Sequence, residues 1–226
     1  MPSALFRVSL HPKCDEDNMI KNLAFDFGGV LFDLDYEGAV EAFKQIGLAD
    51  ASTRLDRFHQ RGVFEELESG RITPDAFRAE LGKMCGRALT HDEVLGAWLG
   101  YVGGPVDVRK LHRLEELRAR DYRTFLLSNT NPFVQSWAES SRFSSEGRPL
   151  SSYLEKCYTS YEVGIMKPDP GIFQFMLRDA GILPGETLFL DDSPANIAAA
   201  ADLSIQTMLV EKNADWREAV EQRLRQ

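Results

Sequence analysis

The chain has 226 residues, 43% hydrophobic and 27% charged, enough for one α/β domain with a small insertion and no need of disulfides or structural metal. A formal net charge of −9 excludes DNA, RNA or an anionic membrane as partners held by bulk attraction, though a small anion bound by local donors and a divalent cation still fits. The three cysteines, Cys14, Cys85 and Cys157, lack metal-binding spacing, which predicts reduced thiols and a cytoplasmic protein, and no apolar run reaches membrane-spanning length.

Residues 1–18 hold Arg7, His11 and Lys13 without an apolar signal core, so they read as an N-terminal extension. The first strand follows over 23–27, and Asp26 stands at its carboxyl end, just before Gly28-Gly29-Val30. A carboxylate there lies on the rim where open α/β sheets bind ligands, and adjacent glycines let backbone N–H groups approach an anion. Asp33 and Asp35 read as turn or hinge residues, with Asp33 a spare proton donor.

Residues 37–105 carry helical patterns and no good strand: Ala39-Val40 with Phe43 and Ile46, Leu55 to Phe58, a helix capped by Thr73-Pro74 through Phe77 and Leu81, and Val94-Leu95-Trp98. They predict an inserted α-helical domain that closes near Gly103-Gly104-Pro105, leaving 19–36 and 106–226 as the core. Trp98 and Phe77 read as core residues of that insertion, and His59, His91 and His112 as surface residues.

Downstream, Val108, Leu111, Leu114 and Leu117 predict a helix, and strands are expected at 123–127, 156–159, 187–190 and 205–210. Asn131-Pro132, Asp169-Pro170 and Ser193-Pro194 each set a capping side chain before a proline at a helix start. Strands alternating with helices give the fold class, α/β with a doubly wound, mainly parallel sheet. Right-handed crossovers then bring Asp26, Ser128, Lys167 and the pair Asp191-Asp192 to one edge of it. The set suits phosphoryl transfer, where catalysis is mainly positioning and charge neutralisation. Adjacent carboxylates facing a third repel one another unless a hard cation such as Mg²⁺ joins them.

The order Asp26-Phe-Gly-Gly-Val, Leu-Leu-Ser128-Asn129, Lys167-Pro168 and Phe-Leu-Asp191-Asp192-Ser193 resembles the four motifs of the haloacid dehalogenase-like (HAD) hydrolase superfamily, over about residues 21–210. The resemblance implies a Rossmann-like core with a helical cap after the first motif. It implies a Mg²⁺-dependent phosphatase in which Asp26 forms an aspartyl-phosphate, Ser128 binds a phosphate oxygen and Lys167 neutralises charge. Asp26, the Gly28 carbonyl, Asp192 and Asp191 would bind Mg²⁺, and the N–H groups of Gly29 and Asn129 would face the phosphate. The substrate would be a small phosphorylated metabolite, and the protein a monomer or homodimer.

One position departs from the pattern. Typical phosphatases of the superfamily place a second aspartate, the general acid/base, where this chain has Gly28, and such catalysis is worth roughly 10²–10⁴-fold. Either the leaving group needs less help, as in the sugar-phosphate phosphatases that this D-x-G-G-V variant resembles, or a cap residue such as His59 or Glu65 supplies the proton. A catalytically weakened ligand- or partner-binding protein is the alternative that Gly28 leaves open. A metal-free dehalogenase is disfavoured by Asp191-Asp192, which would repel an anionic haloacid.

Overall fold

The computed structural model describes residues 19–56 and 60–225. Five strands form one parallel sheet in the order β3-β2-β1-β4-β5: β1 Asn22–Phe25, β2 Arg123–Ser128, β3 Lys156–Thr159, β4 Thr187–Asp191 and β5 Gln206–Leu209. This is the doubly wound α/β sheet expected. Leu23, Phe25, Leu126, Leu188 and Leu190 enter one apolar core, while Ala24, Phe125, Leu127 and Phe189 enter another on the opposite face. Such two-sided burial is why these strands read as unbroken apolar runs rather than alternating ones.

Phe25 pairs with Leu126 on one side and Leu190 on the other, so the ends of β1, β2 and β4 lie level. The chain winds outward from β1 to β3, then returns to β4 on the far side of β1. That reversal opens a crevice at the carboxyl ends of β1 and β4.

Helix α6, Val108–Ala119, buries Leu111, Leu114 and Leu117 as their spacing predicts. Asn131 caps α7, Pro132–Ala138, Ser160–Val163 forms the short α8, and Asp169 caps α9, Pro170–Ala180. Ser193 differs. At the start of α10, Pro194–Asp202, its side chain makes no capping bond, and its N–H donates instead to Asp191 Oδ1 at 2.7 Å.

Between β1 and α6 lie α1 Tyr36–Gln45, α2 Ala51–Arg54, α3 Val63–Glu68, α4 Pro74–Met84 and α5 His91–Leu99. Thr73 caps α4 as expected, and edge-to-face contacts of 5.2–5.4 Å among Phe43, Phe64, Phe77 and Trp98 knit α1, α3, α4 and α5 together. Helix α3 has no counterpart in the sequence pattern, being six residues long and starting after Gly62 without a side-chain cap. Of the helical run read from Leu55 to Phe58, Leu55 is the extended residue that ends α2, and positions 57 and 58 lie outside the described residues. His59 lies outside them too, as does the extension 1–18 with Cys14. Cys85 and Cys157 are free thiols, and no helix among the described residues is long and apolar enough to cross a membrane.

Candidate active site

Asp26 leaves β1 with its N–H donating to the Leu190 carbonyl at 2.8 Å, which ties it to the neighbouring strand β4. Facing it is Lys167, from the loop before α9, only 1% exposed. Its Nζ lies 2.8 Å from Asp26 Oδ1 and 2.7 Å from Asp191 Oδ2, and donates to the Leu127 carbonyl at 2.8 Å. An ammonium has three donors, and all three are used. The lysine loop is held by Asn129, whose Nδ2 donates to the Lys167 carbonyl and whose Oδ1 accepts from the Lys167 N–H, both at 2.8 Å.

The two motif-four acids are not equivalent. Asp191 is fully buried and committed: Oδ1 accepts from the Ser193 N–H and from Asn196 Nδ2 at 3.0 Å, and Oδ2 from Lys167 and Asn196. Asn196 thus braces the acidic loop through both Asp191 oxygens. Asp192 approaches the glycine loop so closely that a Cβ on Gly29 would lie 2.6 Å from its Oδ2. Carboxylate oxygens of Asp26, Asp191 and Asp192 come within 4.8 Å of one another.

Charge follows from this crowding. Burial pushes the Asp26 carboxyl up to about 7; Lys167 opposes the rise and Asp191 reinforces it. Burial and the Asp191 charge likewise push Asp192 up to about 6. Burial lowers the Lys167 ammonium, but Asp191 and Asp26 outweigh it and hold its pKa above the usual lysine value. One lysine against three carboxylates leaves a surplus of negative charge that a small oxygen-seeking cation would fit. Asp192 is the better ligand, because the Asp191 oxygens are already engaged.

The glycines behave differently from each other. Gly29 was expected to offer its N–H to an anion, but that N–H donates to the Phe32 carbonyl at 2.8 Å, so it is not available. Its positive φ of 79° and its closeness to Asp192 are the reasons for glycine there. Gly28 does line the pocket, together with Asp26, Ser128, Asn129, Lys167 and Asp192. A Cβ on Gly28 would sit 2.9 Å from Leu34 Cδ1 and 3.4 Å from Phe32 Cζ, so apolar side chains occupy the space beside it. Gly28→Asp therefore needs only the flexible tip of Leu34 to shift, and is expected to cost about 1 kcal/mol or less. A thermal melt reads this as a drop of roughly 2–4 °C at most, and a larger fall would show that Leu34 does not move aside.

Ser128 ends β2, 2% exposed, with its hydroxyl at a long 3.3 Å from the Asn129 carbonyl, which leaves it available to an incoming oxygen. The opposite wall comes from the helical segment: Gln60, Glu68, Trp98 and Tyr101. Trp98 is thus more than a core residue, and its buried Nε1 has no hydrogen-bond partner among the described residues. Nor has Asn131 Nδ2, from the loop after β2.

Glu68, at the end of α3, was not anticipated as a pocket residue. Burial pushes its carboxyl up to about 8, the nearby Asn131 amide opposes this and the Asp26 charge adds to it. That amide stabilises the carboxylate electrostatically but lies outside hydrogen-bond geometry. The only hint in the sequence is the pair Phe64 and Leu67, one helical turn of apolar spacing. Glu65, the acid considered instead, is half-buried, paired with Arg71 at 2.9 Å and absent from the pocket lining. Asp33 is exposed and away from the pocket, and the His91 and His112 side chains are about half exposed, as expected.

The model of the haloacid dehalogenase-like hydrolases matches residues 20–203. The chain belongs to this family. It is 53% identical over 200 residues to a D-ribitol-5-phosphate phosphatase of Bacteroides thetaiotaomicron, covering 88% of this chain and 96% of that one. A predicted HAD-like hydrolase from Porphyromonas gingivalis superposes with a TM-score of 0.87 at 43% identity, over 92% of this chain and 99% of the other. A HAD enzyme from B. thetaiotaomicron in complex with magnesium and inorganic phosphate gives 0.80 at 36% identity, over 88% and 98%.

Proposed function

We propose that this HAD hydrolase is a Mg²⁺-dependent phosphomonoesterase of a small, hydroxyl-rich metabolite, with 19–36 and 106–226 as core and 37–105 as a helical cap. The observation that carries the reading is the meeting of Asp26, Ser128, Lys167 and Asp192, from four distant chain segments, in one pocket. Asp26 is the nucleophile and forms an aspartyl-phosphate. Ser128 and the Asn129 and Gly28 backbone hold phosphate oxygens; Lys167 neutralises charge and fixes Asp26. Asp26, Asp192 and the Gly28 carbonyl would hold Mg²⁺, with Asp191 acting chiefly on Lys167. When bound, the ion offsets the charge of the phosphoryl group and polarises its oxygens.

The Bacteroides ribitol phosphatase and the magnesium–phosphate complex support this chemistry. The unpartnered Asn131 and Trp98 donors beside Gln60 and Glu68 support a polyol or sugar phosphate as substrate. We place the protein in the cytoplasm, as a monomer or homodimer. The experiment is phosphate release from ribitol 5-phosphate and a panel of sugar phosphates, with Mg²⁺ and with chelator. Release only with Mg²⁺ is expected. Inertness across the panel would favour a ligand-binding member of the family, and metal-independent halide release a dehalogenase.

Metal binding also has a thermal signature. Asp26, raised from 3.8 to about 7, and Asp192, raised to about 6, hold protons in the folded state that the unfolded chain has released. The metal-free protein therefore loses stability as pH rises from about 4 to 7. Mg²⁺ competes with those protons, so millimolar Mg²⁺ should raise the melting temperature at pH 8 and far less at pH 5. Asp192→Asn should abolish the difference; an equal shift at both pH values would argue against binding at these acids.

A further inference from the structure

At Gly28, the position where a second aspartate would stand, the pocket has no side chain, and the side-chain tips of Leu34 and Phe32 lie beside it. On the opposite wall it has one carboxylate, Glu68, 7% exposed and without a cationic partner among the described residues. We propose that Glu68 is the general acid/base of this enzyme, delivering a proton from the cap to the departing alcohol of the substrate. The inference rests on the phosphatase reading and adds to it the residue that replaces the missing aspartate.

Geometry fixes Glu68 over the site. The Ser160 hydroxyl donates to the Glu68 carbonyl at 2.6 Å and accepts from the Thr130 N–H at 3.0 Å, and Thr130 directly follows the Ser128-Asn129 pair. Just beyond Glu68, Gly70 packs so tightly on the Tyr161 carbonyl that a Cβ would lie 2.2 Å away. The cap end that carries the acid is therefore pinned to the phosphate-binding edge. The groups that face Glu68 are Asp26 from the β1 loop, Asn131 at the start of α7 and Tyr101 after α5. Burial and the Asp26 charge, opposed by the Asn131 amide, keep the carboxyl protonated at neutral pH, the state a donor requires.

The step balances. Asp26 Oδ attacks phosphorus, the bond from phosphorus to the ester oxygen breaks, and that oxygen takes its proton from the Glu68 carboxyl. Water then attacks the aspartyl-phosphate and gives a proton to the Glu68 carboxylate; the bond to Asp26 breaks and phosphate leaves. Both residues return to their starting states, and the net consumption is one water.

The test compares the full-length wild type with Glu68→Gln on ribitol 5-phosphate, a poor alkoxide leaving group, and on p-nitrophenyl phosphate, a good one. Glu68→Gln should lose roughly 10²–10³-fold in kcat on the alkyl ester and at least about tenfold less than that on the aryl ester. Equal losses on both, or none on the alkyl ester, would overturn the proposal. A wild type inert on both esters would instead sink the phosphatase reading itself. Should the variant misfold, the wild type alone decides. Its alkyl-ester kcat should fall on the alkaline side with an apparent pKa near 8, while a flat alkaline profile would refute a Glu68 donor.

Discussion

With Asp26 as the proposed nucleophile, Asp26→Asn is expected to abolish phosphate release, lowering kcat by on the order of 10⁴-fold or more, because the amide keeps the shape of the carboxylate but cannot attack phosphorus. Single-turnover assays with a fluorogenic phosphate ester would measure it, and a residual rate above about one per cent would mean another group attacks. The same change should stabilise the metal-free protein. Asp26 titrates near 7 rather than 3.8, so above pH 7 its ionisation burdens the folded state. Asparagine removes that burden, and at pH 8 the melting temperature should rise by roughly 2–4 °C for each kcal/mol relieved. A variant both inactive and less stable at pH 8 would point to misfolding. Stability lost at a charged, crowded site for the sake of activity is a familiar compromise.

That site was legible in the sequence for a definite reason. Asp26, Ser128 and Asp191 each terminate an apolar strand, and parallel strands joined by right-handed crossovers must end on one edge. The opposite wall was not legible. Glu68 sits on a helix of six residues, too short to show a 3.6-residue period, and its burial depends on Ser160 and Tyr161 from the far end of the sheet. Trp98 shows the same limit: helical spacing predicts that it is buried, yet cannot tell whether its ring borders protein or a cavity. The Gly29 N–H was misassigned because two adjacent glycines suggest an anion cradle, whereas here one of them closes a turn onto Phe32 and the other faces Leu34. Asp191 and Asp192 look alike as a pair of letters. Only the contacts of Lys167 and Asn196 separate a positioning carboxylate from an available one.

Lys167→Met should destabilise the protein more than any other single change at the site. The methionine is of similar length and suits the apolar surroundings that include the Phe189 ring, 5.3 Å from Nζ. What it cannot do is answer Asp191, which is fully buried and draws its only described cation from Lys167. Removing one partner of a buried pair costs about 3–5 kcal/mol, far more than the pair contributes over an apolar replacement. For a chain of this size that is a fall of roughly 10 °C in melting temperature. Arginine would not rescue it. Three acceptors, Asp26 Oδ1, Asp191 Oδ2 and the Leu127 carbonyl, converge on one nitrogen, a match for an ammonium and not for a planar fork. The double variant Lys167→Met with Asp191→Asn should recover part of the loss, because the stranded charge goes with its partner. Additive losses in that cycle would mean that the lysine acts through packing and not through charge.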